Sequence, residues 1–419
     1  MAGGEVKAAA RAAGPTDWRK PRNSCLLQVL RPRSRQMFSP MRQAEFEGIA
    51  ADAEAGTGVW PAQRIRAIAE IGRIRSETPL DPDQIQPASL DLRLSGTAYK
   101  VPASFLPGRR FTMAERLADC GAERFDIADG AVFETGGIYI VRLQETVDLR
   151  RRESAFANPK SSTGRLDIFA RVITDYGIQF DTVEEGYTGP LWLEIAPRSF
   201  NVLARAGSRL AQLRFRTGAP SIGSRAVREL NETHGIIAAE GLSPIIRDGA
   251  IALSVDVAGD PDTGLIGYKS LSVDTPIDVD VRGQYDPAEF WEKLYRPARN
   301  GLILERDHFH ILATKETVAI PEGYAADMFA YDTLVGEFRV HYAGFFDPGF
   351  GYVDGKRVGA KIVLEVRSHE VPFMVDDGQV AGFVAVERLS SPTDLLYGAG
   401  AGSNYQSQGL ALSKQFRRG

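Results

Sequence analysis

Residues 138–149 read IYIVRLQETVDL, and residues 309–320 read FHILATKETVAI. Both stretches alternate apolar and polar side chains over much of their length, as a half-buried β-strand does. Both contain Glu-Thr-Val, and the two glutamates, Glu145 and Glu316, lie 171 positions apart. A repeat of this length predicts that one β domain has been duplicated within the chain.

A second pair of stretches repeats at the same spacing. DTVEEGYTGPLWLE (181–194) and DPGFGYVDGKRVGAKIVLE (347–365) each run from an Asp through Gly to a strand that ends in Leu-Glu. Ser-x-Asp at 89–91 and at 254–256 is a third candidate match, since Tyr-Lys follows each time. The pattern predicts a mainly β fold of two tandem barrel-like or jelly-roll-like domains with a few short helices.

The chain divides into three predicted regions. The first 36 positions contain eight Lys and Arg, two acidic residues and few apolar residues. We therefore expect a disordered basic extension over 1–56, a first β domain over 57–227 and a second over 228–419. Helices are expected at 61–75, where isoleucines recur every third position, and at 287–295.

Composition excludes several classes of protein. The net charge of −4 gives no global basic field, so nucleic acid is not an expected partner. Two cysteines in 419 residues argue against a disulfide framework and a cysteine-rich zinc site, and fit a cytoplasmic protein. No apolar run reaches the roughly 20 residues of a membrane helix, so no membrane partner is expected.

Residues 158–167, NPKSSTGRLD, concentrate groups that bind anions. Lys160, Ser161, Ser162 and Arg165 supply charge, hydroxyl donors and a guanidinium fork, and these groups bind phosphates strongly. A polar surface turn is the alternative reading of the same string. Glu194 and Glu365 each end an apolar strand, where burial would raise the carboxyl pKa and suit it to proton transfer; a structural ion pair is the alternative.

The order of these motifs resembles the dCTP deaminase family of the dUTPase-like β fold. The family loop Arg-Ser-Ser-Leu-Ala-Arg corresponds to residues 160–165, and its Asp-Pro-Gly-Trp…Leu-Glu to residues 347–365. The family tail, Tyr…Lys-Tyr-x-x-Gln-Gly, corresponds to Tyr397 and to residues 404–409. The two copies resemble the long form of the family, in which one chain carries two such domains.

The resemblance implies deamination of dCTP to dUTP and ammonia, which feeds thymidylate synthesis. It implies a glutamate that activates water without zinc, Mg²⁺ bridging the substrate triphosphate, and a homo-oligomer whose sites are shared between neighbouring domains. The candidate catalytic residues are Glu365, Glu194, Ser161 and Arg165. The candidate nucleotide-binding residues are Lys160, Ser161, Ser162, Arg165, Asp181, Asp347, Tyr397, Tyr405 and Gln408.

The two copies are unequal. At the position of the first copy's Lys-Ser-Ser-x-x-Arg, the second reads Tyr-Asp-Thr-Leu-Val-Gly (331–336), without the Arg. We therefore expect the first domain to hold the phosphates and the second to present Glu365 to the base, with Glu194 as the second choice. The family's base-contacting Thr-Ala and its tail Lys are replaced here, by Tyr176-Gly177 or Tyr342-Ala343 and by Asn404.

Two other functions fit the same residues. GIQFDTVEEGYTG (177–189) resembles the Asp-containing hairpin of dUTPases, in which the Asp activates water at phosphorus. A regulatory module that binds a deoxynucleotide without turnover is the other alternative, because the second copy has lost its phosphate ligands.

Overall fold

The computed structural model of the protein describes residues 56–238, 244–297, 301–330, 339–340, 344–368, 371–398 and 409–418. The predicted N-terminal extension, Tyr405 and Gln408 lie outside these residues, apart from the extension's last position. No helix in the described ranges is long and apolar enough to cross a membrane.

Short strands dominate both halves of the chain, with five short helices in the described part. The helices are α1 (Ala62–Glu70), α2 (Met113–Asp119), α3 (Ser161–Gly164), α4 (Ser224–His234) and α5 (Pro287–Phe290). The strands up to the end of the first domain are β1 (Gly58–Val59), β2 (Ile74–Ser76), β3 (Ile85–Gln86), β4 (Ser89–Leu92), β5 (Leu94–Val101), β6 (Glu123–Asp126), β7 (Ala131–Phe133), β8 (Ile138–Asp148), β9 (Glu153–Pro159), β10 (Ile168–Thr174), β11 (Thr182–Val183), β12 (Thr188–Pro197), β13 (Val202–Ala204) and β14 (Ala211–Thr217). The remaining strands are β15 (Ile237–Ala238), β16 (Ile246–Arg247), β17 (Ala250–Ser254), β18 (Leu265–Ser270), β19 (Ile277–Asp278), β20 (Trp291–Tyr295), β21 (Leu302–Leu304), β22 (Phe309–Val318), β23 (Tyr324–Ala330), β24 (Arg339–Val340), β25 (Phe345–Phe346), β26 (Tyr352–Val353), β27 (Lys356–Arg357), β28 (Ala360–Arg367), β29 (Phe373–Val375) and β30 (Val380–Arg388).

The predicted duplication is visible in the strand order. The first domain has one sheet ordered β11-β9-β14-β4-β3 and another ordered β10-β12-β8-β5-β6. The second domain repeats these as β25-β23-β30-β17-β16 and β24-β28-β22-β18-β20. The two halves therefore share one mainly β topology, as the repeated sequence patterns predicted.

The register of the repeat agrees with two of the three sequence matches. Glu194 lies opposite Ile140 and Glu365 opposite Ile311, so both pairs keep the offset of 171. Glu145 accepts a hydrogen bond from the backbone N–H of Arg93, and Glu316 accepts one from that of Ser254. Ser254 therefore corresponds to Arg93, and the Ser-x-Asp alignment with residues 89–91 was wrong.

Both predicted helices are shorter than expected. Pro61 caps α1, which ends at Glu70 because Gly72 turns the chain with φ +78° and Ile74 enters β2. In the predicted helix at 287–295, only Pro287–Phe290 is helical, and Trp291–Tyr295 forms β20, which pairs with β18. The predicted domain boundary after residue 227 falls inside α4, whose Val227 belongs to the second domain's core.

The two domains share part of their apolar interior. Each has its own core between its sheets, but the first core also includes Ile311, Val363 and Phe416 from the second half of the chain. A parallel pairing of β19 with β13 joins the halves at a second place. The face of β22 and β28 that carries Ile311 and Val363 is therefore directed at the first domain.

Candidate active site

One face of the first domain's sheet is polar although it is buried. Leu90, Leu213 and Ala157, opposite one another on β4, β14 and β9, point into the core and are fully buried. The next residue on each strand points to the opposite face of the sheet, because side chains alternate along a strand. These residues are Asp91, Gln212 and Asn158, which lie opposite one another and form a polar row. Arg214 on the same face of β14 contacts residues of the second domain, so the polar row lies at the interface between the two domains.

The predicted phosphate loop lies at the end of β9, beside that row. Ser161–Gly164 form a single helical turn, in which the N–H groups of Thr163 and Gly164 donate to the carbonyl of Lys160 at 2.7 and 3.0 Å. Lys160 Nζ reaches Asp91 Oδ2 at 2.5 Å. Ser161 is exposed, whereas Ser162 and Arg165 are buried. The turn thus presents a hydroxyl to solvent, and Lys160 is fixed against the polar row.

Glu365 lies opposite this turn, on β28 of the second domain. Arg165 Nε is 3.9 Å from Glu365 Oε1, and both side chains are at least nine-tenths buried. Burial raises the pKa of Glu365 to about 7, although the positive charge of Arg165 opposes this effect. A carboxyl group with this pKa is ionised and neutral in comparable amounts near neutral pH, so it can both accept and return a proton.

Asp347 follows β25 at the same interface. Arg214 of the first domain, fully buried, donates to Asp347 Oδ1 at 2.9 Å and to the carbonyl oxygen of Ala326 at 2.8 Å, and it also pairs with Asp327. Burial raises the pKa of Asp347, while Arg214 lowers it. Arg214 therefore ties the polar face of the first domain to the turn that carries Asp347.

The turn after Asp347 holds Tyr397. The N–H of Tyr397 donates to the carbonyl of Pro348 at 2.8 Å, and the Tyr397 and Phe350 rings lie 5.4 Å apart. Gly349 has φ +88°, and a Cβ there would come within 3.3 Å of Tyr397 N, so a side chain at this position would be strained and crowded. The predicted nucleotide-binding tyrosine thus packs against the predicted Asp-Pro-Gly turn.

The last described segment, residues 409–418, returns to the phosphate loop. Arg165 Nη1 donates to the carbonyl of Ala411 at 3.0 Å, and Ser413 Oγ donates to the carbonyl of Ser162 at 2.7 Å. Both contacts join positions about 250 residues apart, which a sequence pattern does not reveal. The C-terminal segment therefore helps to hold the loop that faces Glu365.

Glu194 has different surroundings, although it holds the same register position as Glu365. Arg171 from the adjacent strand donates to Glu194 Oε1 at 3.0 Å, and the Arg171 guanidinium lies 3.9 Å from the centre of the Phe180 ring. The first domain covers this face itself, with a cluster that includes Trp192 and residues of α2. Glu194 is thus fully buried and ion-paired within one domain.

Asp181 belongs with Glu194 rather than with the phosphate loop. Its carboxylate accepts a hydrogen bond from the Val172 N–H at 2.8 Å, and its backbone is left-handed, with φ +60°. Burial raises the pKa of Asp181 to about 7, against the opposing effects of this hydrogen bond and of Arg171. The structure therefore separates the candidates into an inter-domain group around Arg165 and Glu365 and a group inside the first domain around Glu194.

Two family models match consecutive parts of the chain. The 2′-deoxycytidine 5′-triphosphate deaminase N-terminal domain matches residues 56–219, and the C-terminal domain of the same family matches residues 223–416. The chain belongs to the dCTP deaminase family. The resemblance on which the sequence interpretation depended is thereby confirmed, and so is the predicted fold class.

The solved and curated relatives of this dCTP deaminase family member are themselves named as dCTP deaminases. A dCTP deaminase structure from Agrobacterium tumefaciens is 48% identical, with a TM-score of 0.77, and the match covers 81% of this chain and 100% of that one. Two proteins named "dCTP deaminase, dUMP-forming" are each 33% identical, from Beutenbergia cavernae over 131 residues and from Kocuria rhizophila over 110. These matches take up 29% and 25% of this chain. They span 64% and 53% of the length of the two relatives.

Several residues at the inter-domain interface were not predicted from the sequence. They are Asp91, Asp167, Arg214 and Arg367, which form the buried ion pairs between and beside the candidate residues. One signal was available for Arg214. In AQLRFRT (211–217), Gln212, Arg214 and Arg216 alternate with apolar residues, which predicts a polar sheet face but does not say that another domain buries it.

Proposed function

We propose that this member of the dCTP deaminase family converts dCTP and water to dUTP and ammonia at the domain interface where Arg165 meets Glu365. One observation supports this proposal most strongly. A buried carboxyl group with a pKa near 7 faces the arginine of an anion-binding loop across a domain interface. A pyrimidine nucleotide needs both groups at once, one for its phosphates and one for its ring.

In this proposal the first domain holds the triphosphate. Arg165 and Lys160 supply positive charge, and Ser161 and Ser162 supply hydroxyl and backbone donors at the start of a helical turn, where N–H groups precede the first intrahelical bonds. Mg²⁺ enters as part of the substrate, bridging its phosphates, because magnesium is commonly held by substrate phosphates with few protein ligands. Asp347, Tyr397, Tyr405 and Gln408 are the proposed further nucleotide contacts.

Glu365 performs the proton transfers. Its ionised form accepts a proton from the water molecule that attacks C4 of the cytosine ring, and the resulting acid returns the proton to N3. Glu365 then takes the proton of the new C4 hydroxyl group and passes it to the exocyclic amine, so that the C4–N bond breaks, ammonia leaves and the C4 carbonyl forms. Since the pKa of Glu365 is raised to about 7, neither direction of transfer is strongly uphill at neutral pH.

A second product is favoured by the names of the curated relatives. A dUMP-forming enzyme also cleaves the bond between the α and β phosphates with water, and releases pyrophosphate. Asp181 lies in the hairpin that resembles that of dUTPases, but it belongs to the group around Glu194 inside the first domain, so we assign no residue to that step. A cytoplasmic homo-oligomer that supplies thymidylate synthesis remains our proposal for the biological setting.

The experiment is to incubate the full chain with Mg²⁺ and either dCTP or dUTP, separate the nucleotides by chromatography, and assay ammonia and pyrophosphate. Equal amounts of dUTP and ammonia support the proposal, and dUMP with pyrophosphate supports the second candidate. Pyrophosphate from dUTP without ammonia from dCTP would indicate a dUTPase. Tight dCTP binding without any product after long incubation would indicate the regulatory module, and would refute both enzymatic proposals.

A further inference from the structure

A second ion pair crosses the domain interface beside Arg165 and Glu365. Arg367 pairs with Asp167, and Ser199 Oγ joins them by accepting from Arg367 Nη2 at 3.0 Å and donating to Asp167 Oδ2 at 2.7 Å. Arg367 is 5% exposed and Asp167 is 1% exposed. This contact is therefore a buried inter-domain ion pair with a shared hydroxyl group.

The positions of the two pairs are related. Arg367 follows Glu365 by two residues on β28, so the two side chains lie on the same face of the strand. Asp167 follows Arg165 by two residues at the end of the phosphate loop. The contacts Arg165–Glu365 and Asp167–Arg367 therefore run side by side with their charges exchanged.

The loop end that carries Asp167 is itself fixed. The Asp167 N–H donates to the carbonyl of Gly164 at 2.9 Å, and the Asp167 carbonyl accepts from the Arg198 N–H at 2.9 Å. Arg367 also donates to the backbone carbonyl of Asp307 in the second domain. The ion pair thus joins two segments of the protein that are themselves held by hydrogen bonds, the end of the phosphate loop and the segment around Asp307.

The first copy has no equivalent of this contact. Glu194 and Glu365 hold the same register position in the two copies. Ala196, two residues after Glu194, therefore corresponds to Arg367, two residues after Glu365. A buried ion pair adds little to stability in comparison with apolar residues of similar volume. Its presence in the one copy whose glutamate faces a phosphate loop calls for a role other than stability.

We propose that Arg367 and Asp167 are positioning residues that hold Glu365 opposite Arg165, and this proposal rests on the proposed function of that pair. Arg165 is the charged side chain, among the residues that the structure describes, whose field acts on Glu365. If the neighbouring pair loosens, the distance between Arg165 and Glu365 increases. The ionised form of Glu365 then loses part of its stabilisation.

Asp167→Asn distinguishes positioning from a direct effect of charge. The substitution removes a negative charge, so a purely electrostatic effect would lower the pKa of Glu365. Loosening of the Arg165–Glu365 contact would raise that pKa instead, by roughly one unit for a separation that grows by about 2 Å. The opposite signs make the two explanations separable.

The experiment measures the pKa of Glu365 directly, by ¹³C NMR titration of protein labelled at the glutamate carboxyl carbons, with Glu365→Gln to assign the resonance. We expect an upward shift in Asp167→Asn, and a smaller one in Ser199→Ala, which is the milder change. Arg66→Met is the matched control, because Arg66 pairs with Asp394 across the same two domains but at an exposed position, with 2.7 Å between Nη2 and Oδ1. It should leave the pKa unchanged.

An unchanged or lowered pKa of Glu365 in both Asp167→Asn and Ser199→Ala overturns the positioning proposal. Rates of ammonia release from dCTP are measured on the same proteins. If the pKa shifts as expected but the wild-type chain releases no ammonia, the proposed function fails and the positioning role stands. If wild-type turnover is present but the pKa does not respond, only the positioning proposal fails.

Discussion

Replacing Arg165 by Met should move the pH dependence of turnover to higher pH. The guanidinium lies 3.9 Å from the Glu365 carboxylate, and at an effective dielectric constant of about 20 this corresponds to an attraction of about 4 kcal/mol. Opposite charges at such distances shift a carboxyl pKa by about one to three units in practice. Because Arg165 favours the ionised form, its loss should raise the pKa of Glu365 from about 7 to 8 or above.

The consequence for the rate follows from the ionised fraction. If the ionised carboxylate is the base, kcat/KM for dCTP rises through pH 7 in the wild type. At pH 7 the variant should lose about 5-fold in activity for a one-unit shift and about 50-fold for a two-unit shift, in addition to any loss of phosphate binding. Only the part due to ionisation should be recovered as the pH is raised towards 9.

The assay is ammonia release from dCTP between pH 5.5 and 9.5, with kcat and KM separated at each pH. Lys160→Met is the matched control, because Lys160 belongs to the same loop but pairs with Asp91. It should raise KM without moving the midpoint of the pH profile. A midpoint in Arg165→Met equal to that of the wild type would refute the electrostatic coupling between the loop and Glu365.

Three further predictions concern stability and substrate binding. Asp181→Asn should change the free energy of unfolding by less than about 1 kcal/mol at pH 4 and increase it by up to about 4 kcal/mol at pH 8, because the folded-state pKa is raised from 3.8 to about 7 and the neutral form favours folding. Urea unfolding at both pH values measures this, and equal gains at both would contradict it. Arg214→Met should cost about 3–5 kcal/mol of unfolding free energy, since it leaves the buried carboxylate of Asp347 without its arginine, while Asp327 keeps its pair with Arg216. The exposed pair of Arg66 should be worth less than about 1 kcal/mol when Arg66→Met is unfolded in parallel, and similar losses in the two variants would show that burial of the Arg214 network is unimportant. Ser413→Ala should raise KM for dCTP about fivefold with kcat unchanged, because one hydrogen bond to the phosphate loop is worth about 1 kcal/mol. An unchanged KM would mean that the C-terminal segment does not hold the loop.

The sequence carried enough information for the fold and for the meeting of Arg165 with Glu365, whereas the division of roles between the two domains stays a prediction. Glu194 and Glu365 share an offset that the structure reproduces, and the missing Arg in the second copy pointed to Arg165 and Glu365 as one pair. The Ser-x-Asp match failed because a three-residue pattern contains no information on strand register. Residues 291–295 form a strand rather than a helix because pairing with β18 outweighs their local helical pattern.

The ion pairs at the domain interface could not be predicted from sequence patterns. Arg214 meets Asp347 across 133 positions, and Arg367 meets Asp167 across 200. Such pairs depend on how the two domains pack, and local spacing says nothing about packing at that range. An arginine that alternates with apolar residues on a strand is the one local signal of a polar face, and it is ambiguous between solvent and a partner domain.

Glu365→Gln and Glu194→Gln, compared side by side for ammonia release from dCTP at pH 7.5, test the central claim most directly. The account predicts that Glu365→Gln loses at least about 100-fold in kcat, as expected for removal of a general base. Glu194→Gln, whose carboxylate is already bound by Arg171, should keep most of its turnover once circular dichroism shows that it is folded. Full turnover in Glu365→Gln, together with complete loss in a folded Glu194→Gln, would contradict the account.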